Sequence, residues 1–208
     1  MVEKKLYIGN FIAYGFINVL NRIIPFLMLP VVTRLLPNTS DFGVYSIYKT
    51  ILGFGTPFAI LGLYDAMFRE YFEKDDMNYK HNVTTTAQRL VLFSSIIVAG
   101  VLIIFSSPLS RLFFSSGEQS LVVALAGLGV FIGANKSPIA APTRMQNQRT
   151  IYIVTGLISA IILYVIAIVP IRLDFGFMGL VYGSIVSSAM LLAFFAIRNR
   201  RLFLLGKF

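Results

Sequence analysis

Three cations stand inside segments otherwise built for hydrocarbon: Arg22 in NVLNRIIPFLMLPVVTRLLP (residues 18–37), Lys49 in VYSIYKTILGFG and Lys136 in FIGANKSPIAAP. A charged side chain at the middle of a bilayer costs at least about 2.5 kcal/mol, so each needs protein or water around it. Their neighbours share the polar character. At 100° per residue, Asn10, Tyr14, Asn18, Asn21, Arg22 and Pro25 fall within an arc of about 120° on one helix. Tyr45, Lys49 and Thr56, spaced by four and seven, share a face of the next. Guanidinium, ammonium, amide and phenol groups on facing helices make a polar interior with a positive floor, suited to an anionic solute.

A plainer reading competes at each position. Asn18 and Asn21 can serve as interhelical hydrogen bonders, worth about 0.6 kcal/mol each. Lys49 lies close enough to a span end for its stem to reach toward the interface, and for Lys136, near a span exit, such snorkelling suffices. Arg22 sits near the middle of its span and lacks that escape.

Other chemistry is poorly supplied. Cysteine is absent and His81 is the single histidine, which removes disulfides, thiolate metal sites and histidine clusters. No Walker loop occurs, and no catalytic constellation, metal or cofactor is predicted. Asp41, Asp65, Glu70, Glu118 and Asp174 all fall at span ends or in connections. A proton or sodium relay commonly uses a buried carboxylate, and these spans offer none.

The elements that must position these residues are membrane helices. Hydrophobic residues make up 57% of the chain and charged ones 13%, with a mean hydropathy of +0.79, against about 25% charged residues in a soluble domain. Six segments are apolar enough to span a bilayer, at residues 6–32, 42–63, 90–105, 121–141, 151–171 and 176–197. The first would be about 40 Å long as a straight helix, and Pro25 and Pro30 are its bending points. The expected fold is all-α, a six-helix transmembrane bundle forming a single unit over 1–208.

Ser40 or Asp41 is the expected N-cap of the second span. The second connection, YDAMFREYFEKDDMNYKHNVTTTAQR, is polar, with Met67, Phe68, Tyr71 and Phe72 at helical spacing, which predicts an interfacial helix at its start. Gly129 and Gly133, then Gly179, Gly183 and Ser187, recur at every fourth position and permit close helix approach. The basic, apolar start of the chain is not read as a cleaved signal, because Asn10, Asn18 and Asn21 interrupt the apolar run.

Charge sets the orientation. The N-terminus, the second and fourth connections and the C-terminal tail carry twelve Lys and Arg residues, whereas the other side has Arg34, Arg111 and Arg172. The positive-inside bias places both termini in the cytoplasm and the chain in the cytoplasmic membrane. A net charge of +9 then faces anionic lipid, and no nucleic-acid partner is expected.

The stretches NVLNRIIPFLMLPVVTRLLPNTSDFGVYSIYKTI and GLYDAMFREYFEKDD, with PTRMQNQRTIYIVTGLISAIILYVIAIV, GFMGLVYGSIVSSAM and RNRRLF, resemble the polysaccharide flippases. These are the O-antigen and teichuronic-type exporters of the multidrug/oligosaccharidyl-lipid/polysaccharide superfamily. The resemblance implies one six-helix lobe of a two-lobed exporter, with the second lobe missing from these residues. Its substrate would be an oligosaccharide on a polyprenyl pyrophosphate carrier, flipped to the outer leaflet for polysaccharide or lipopolysaccharide synthesis. Arg22 matches the first cavity arginine of the related lipid II flippases, and Arg34 the arginine that closes the same helix. Met28 stands where a further cavity arginine is expected, and Lys49 lies one residue off a second-helix cation. The expected cavity set is therefore Arg22, Lys49, Asn18, Asn21 and Tyr45, with Arg34 and Lys136 at its margin. The expected partners are the lipid-linked oligosaccharide, membrane lipids and a second lobe. Three other functions compete: a drug or small-solute cation antiporter of the same superfamily, a membrane-embedded polysaccharide polymerase or ligase, and an inactive truncated lobe.

Overall fold

The computed structural model describes residue 19 and residues 23–36, 39–114, 117–146 and 148–200. All regular structure among them is helical. The helices are α1 (Ile23–Leu35), α2 (Thr39–Ile60), α3 (Leu63–Tyr71), α4 (Met77–Ile104), α5 (Ser106–Phe114), α6 (Ser120–Met145), α7 (Arg149–Pro170) and α8 (Met178–Arg198), with a π-helical turn over Ile171–Phe175.

Four helices are long and apolar enough to cross a membrane, or five if the bent pair α2 and α3 forms one broken span. The six predicted spans are thus not all seen among the described residues. Most of the first lies outside the described residues, and its described part, α1, is too short to span alone. α1 stays helical through Pro30. The second ends where Leu61 and Gly62 take φ values of 52° and 71°, and α3 leaves at 48° to α2. Glycine adopts this left-handed backbone readily and leucine at a cost, which makes the pair a defined corner. The amphipathic segment after it forms α3, burying Met67 and Tyr71 as its spacing predicts.

The third span differs most from expectation. Residues 77–89 were predicted as polar connection, yet α4 runs 28 residues from Met77. Asp76 is the cause: its carboxylate accepts from the amides of Asn78 and Tyr79 at 3.1 and 3.3 Å, a side-chain N-cap. The expected N-cap of α2 also moves. Ser40 and Asp41 lie inside the first turn, where the Asp41 charge faces the positive end of the helix dipole. The third connection contains a short helix, α5, rather than plain loop.

α6 is the centre of the bundle. It packs against α2, α4 and α8, with half of its apolar window buried, compared with 6% of the window of α7. Val122, Val123, Ala126, Val130, Ala134 and Ala141 are all fully buried along it. The outer surface carries Phe26, Leu27, Phe54, Phe58, Phe93, Ile104, Val165 and Val169 exposed, a covering that fits lipid and not water.

Polar side chains join the helices internally. Gln88 Nε2 on α4 donates to Asn135 Oδ1 on α6 at 2.9 Å, and Asn135 Nδ2 donates to Ser95 Oγ and to the Phe131 carbonyl, both at 2.8 Å. Asn199, just past α8, donates to the Ile139 carbonyl at 2.7 Å and to Thr143 Oγ1 at 3.1 Å. Such bonds satisfy groups that hydrocarbon would leave unpaired.

Candidate functional site

Of the predicted cavity residues, Asn18, Asn21 and Arg22 lie outside the described residues, directly ahead of α1. Tyr45 and Lys49 stand one turn apart on α2. They line a cavity of about 220 Å³ together with Pro25 and Leu29 of α1 and Leu163 and Tyr164 of α7. The Tyr45 ring stacks on Tyr48 at 6.0 Å between centroids and meets Phe42 edge-on at 6.5 Å. This aromatic run fixes its position. Lys49 has no such brace and remains largely exposed at the cavity wall. Thr56, on the same helix face, turns instead to the α2–α6 contact opposite Gly133.

Lys136 is half-buried and lines a second cavity, of about 410 Å³, between α3, α6, α7 and α8. Its polar lining comprises Tyr64, Lys136, Ser137, Arg144, Tyr152 and Ser159. The two cavities share no lining residue, and each carries one of the two lysines. Arg34 is exposed in the last turn of α1 and lines neither.

Arg144 is held with more definition than Arg34, Lys49 or Lys136. Its Nη1 donates to Tyr64 Oη at 2.5 Å, and the guanidinium lies 5.2 Å from the Tyr152 ring centroid and 5.4 Å from that of Phe68. A weakly hydrated planar cation stacks well on aromatic faces, and the stacking leaves its N–H edge directed sideways. From the sequence Arg144 counted only as loop charge. Periodicity was the available signal, since Lys136, Ala140 and Arg144 repeat every fourth residue on α6, and Tyr152, Gly156 and Ser159 fall on one face of α7.

Chemically the two cavities offer cations, hydroxyls and amide-free apolar walls. Among the described residues no group of three or more His, Cys, Asp or Glu side chains could hold a metal ion. The arrangement presents positive charge and hydroxyl groups to whatever enters the cavities.

No curated protein and no solved structure matches the chain. The family described as polysaccharide biosynthesis protein matches residues 31–204, a stretch running from within α1 past the end of α8 that includes every lining residue of the larger cavity and all but Pro25 and Leu29 of the smaller one. The apolar helices and this match together show a membrane protein of polysaccharide biosynthesis, and the chain belongs to that family.

Proposed function

We propose that the chain forms one lobe of a transporter, not an enzyme, that flips polyprenyl-pyrophosphate-linked oligosaccharide across the cytoplasmic membrane. The observation that carries this reading is the placement of cations at cavities on adjacent helices. Lys49 on α2 and Lys136 on α6 each line a cavity in a bundle whose outside is apolar. Such an interior attracts a pyrophosphate, and Tyr45 and Tyr164 add phenol groups for sugar hydroxyls. Arg22, Asn18 and Asn21, outside the described residues, are the further groups that the sequence supplies for the same headgroup. The polyprenyl tail stays in lipid at the gap beside the lobe.

The family's part in polysaccharide biosynthesis fits this work, and the cargo proposed is the precursor of O-antigen or a related surface polymer. A cation antiporter of the same architecture is less well supported, because no Asp or Glu stands in a span interior among the described residues. A second lobe, whether a further segment or a second copy, closes the polar wall against lipid. Both termini face the cytoplasm.

The test is headgroup translocation in proteoliposomes, read as protection of a fluorescent lipid-linked oligosaccharide from an impermeant quencher. Arg22→Ala and Lys49→Gln are each expected to slow translocation at least about tenfold, the loss of one charge-assisted contact. Unchanged translocation in Arg22→Ala would overturn the assignment.

A further inference from the structure

We infer that the 410 Å³ cavity between α3, α6, α7 and α8 is a binding site for a phosphate group, with Arg144 and Lys136 as its cationic walls. The site shares Lys136 with the transport reading: a terminal diphosphate as its ligand rests on that reading, and a glycerophospholipid does not.

Four observations converge on a phosphate. The cavity joins an arginine and a lysine eight residues apart on one face of α6, and no carboxylate is among its lining residues. Four hydroxyl-bearing side chains, Tyr64, Ser137, Tyr152 and Ser159, share the lining; Ser137 Oγ donates to the Gly133 carbonyl at 3.4 Å, and the phenols add O–H groups that suit a many-oxygen anion. Arg144 is preorganised: aromatic rings flank it and Tyr64 Oη accepts from it, so the phenol proton of Tyr64 remains to be donated to an anion. Finally, a Cβ built on Gly156 meets nothing within 4 Å, so the α7 wall stands open.

The position explains the choice of cation. Arg144 lies in the last turn of α6, beside the α3 corner, where basic pockets between membrane helices take lipid phosphates. The guanidinium supplies a charge held in place by the flanking rings, and the shorter, flexible lysine supplies a compact point charge deeper along the helix. The volume admits more than a phosphate alone. Two sources present the same chemistry: the phosphodiester of an anionic glycerophospholipid, and a terminal diphosphate.

The experiment uses the whole purified chain in phosphatidylcholine nanodiscs. Inorganic pyrophosphate is titrated calorimetrically, with and without phosphatidylglycerol in the disc. Saturable pyrophosphate binding is expected, weakened about tenfold or more in Lys136→Gln and restored in Lys136→Arg. Should Lys136→Gln unfold, Gly156→Asp serves instead: it places a carboxylate in the open wall and must abolish binding while the helices stay packed. Binding that survives phosphatidylglycerol supports the site with a terminal diphosphate as source. Competition by phosphatidylglycerol supports it with the glycerophospholipid as source. No saturable binding in the parent chain, or undiminished binding in both variants, overturns it. A chain that binds pyrophosphate but fails to translocate keeps this site and loses the transport reading.

Discussion

Tyr48 Oη and Ser184 Oγ lie 2.8 Å apart in a fully buried contact that joins α2 to α8 across 136 residues of sequence. Ser184 also donates to the Val181 carbonyl at 2.8 Å, so its hydroxyl keeps a partner if the tyrosine loses its own. Tyr48→Phe therefore leaves no orphaned group. Its expected cost is about 0.5–1 kcal/mol, the range of an interhelical bond in a membrane bundle. Tyr48→Ala also empties a ring-sized space and should cost about 3–5 kcal/mol. Detergent-induced unfolding of the two variants, followed by circular dichroism, checks the ratio.

The glycines divide by what surrounds them. A Cβ on Gly179 would stand 2.6 Å from the Ala167 carbonyl oxygen, and one on Gly183 would strike the Leu163 carbonyl, both backbone atoms of α7. Backbone cannot swing aside as a side chain can. Gly179→Ala and Gly183→Ala should each cost about 1–3 kcal/mol through overpacking. At Gly133 the nearest atom is Thr56 Oγ1 at 3.4 Å, an ordinary contact, so Gly133→Ala should stay within about 1 kcal/mol of the parent because alanine favours helix. Thermal inactivation in the same detergent ranks the three, and equal losses would contradict the geometry.

These cases show what the chain's pattern conveys and what it hides. The four-residue spacing of Gly179 and Gly183 announced close packing, and the structure identifies α7 as the helix approached. Apolar runs located the later spans to within a few residues, because hydrocarbon length constrains them. The start of α4 was hidden: residues 77–89 are polar, and capping by Asp76 together with the packing of Val83 and Ala87 against α3 carries the helix through them. Asn135 illustrates the same limit. Its place between Gln88 and Ser95 depends on α4 and α6 lying side by side, a tertiary fact absent from local spacing. The second cavity stayed invisible for a related reason, since its two periodic faces belong to different helices and neither is unusual alone.

The α3–α4 corner gives a pH-dependent case. Lys80 bonds the Asp75 carboxylate and holds its pKa below the ordinary carboxylate value. A carboxyl depressed in the folded state contributes stability that is complete above its unfolded pKa and is lost as pH falls through the folded one. Asp75 is fully exposed, so solvent screens the pair and the effect is small. Asp75→Asn should flatten the acid limb of a stability profile without altering neutral stability much. The adjacent Asp76→Ala should instead cost about 1 kcal/mol at neutral pH through loss of the N-cap. Unfolding midpoints across pH separate the two, and a steeper acid limb in Asp75→Asn would reverse the sign assigned here.

Orientation offers the last test, and the chain's lack of cysteine makes it direct. Three contacts bind helix ends at one face of the bundle: Arg144 to Tyr64, Asn199 to Thr143, and Arg198 Nη2 to Gln148 Oε1 at 2.8 Å. Arg69, Lys74, Lys80, Arg144, Arg198 and Arg200 gather there. At the opposite face Asp41, in the first turn of α2, lies beside Gly176 just past the π-helical turn, and Arg34, Arg111 and Arg172 are the cations of the neighbouring segments. Translocation is harder for loops dense in lysine and arginine, so the crowded face should be cytoplasmic. Single cysteines at the exposed positions Glu73, Gln146 and Arg200 should then resist an impermeant maleimide in intact cells and react once the membrane is opened. Glu118→Cys, ahead of α6, should react in both states. Labelling of Gln146→Cys from outside intact cells would invert the topology and move the Arg144 cavity to the outer face.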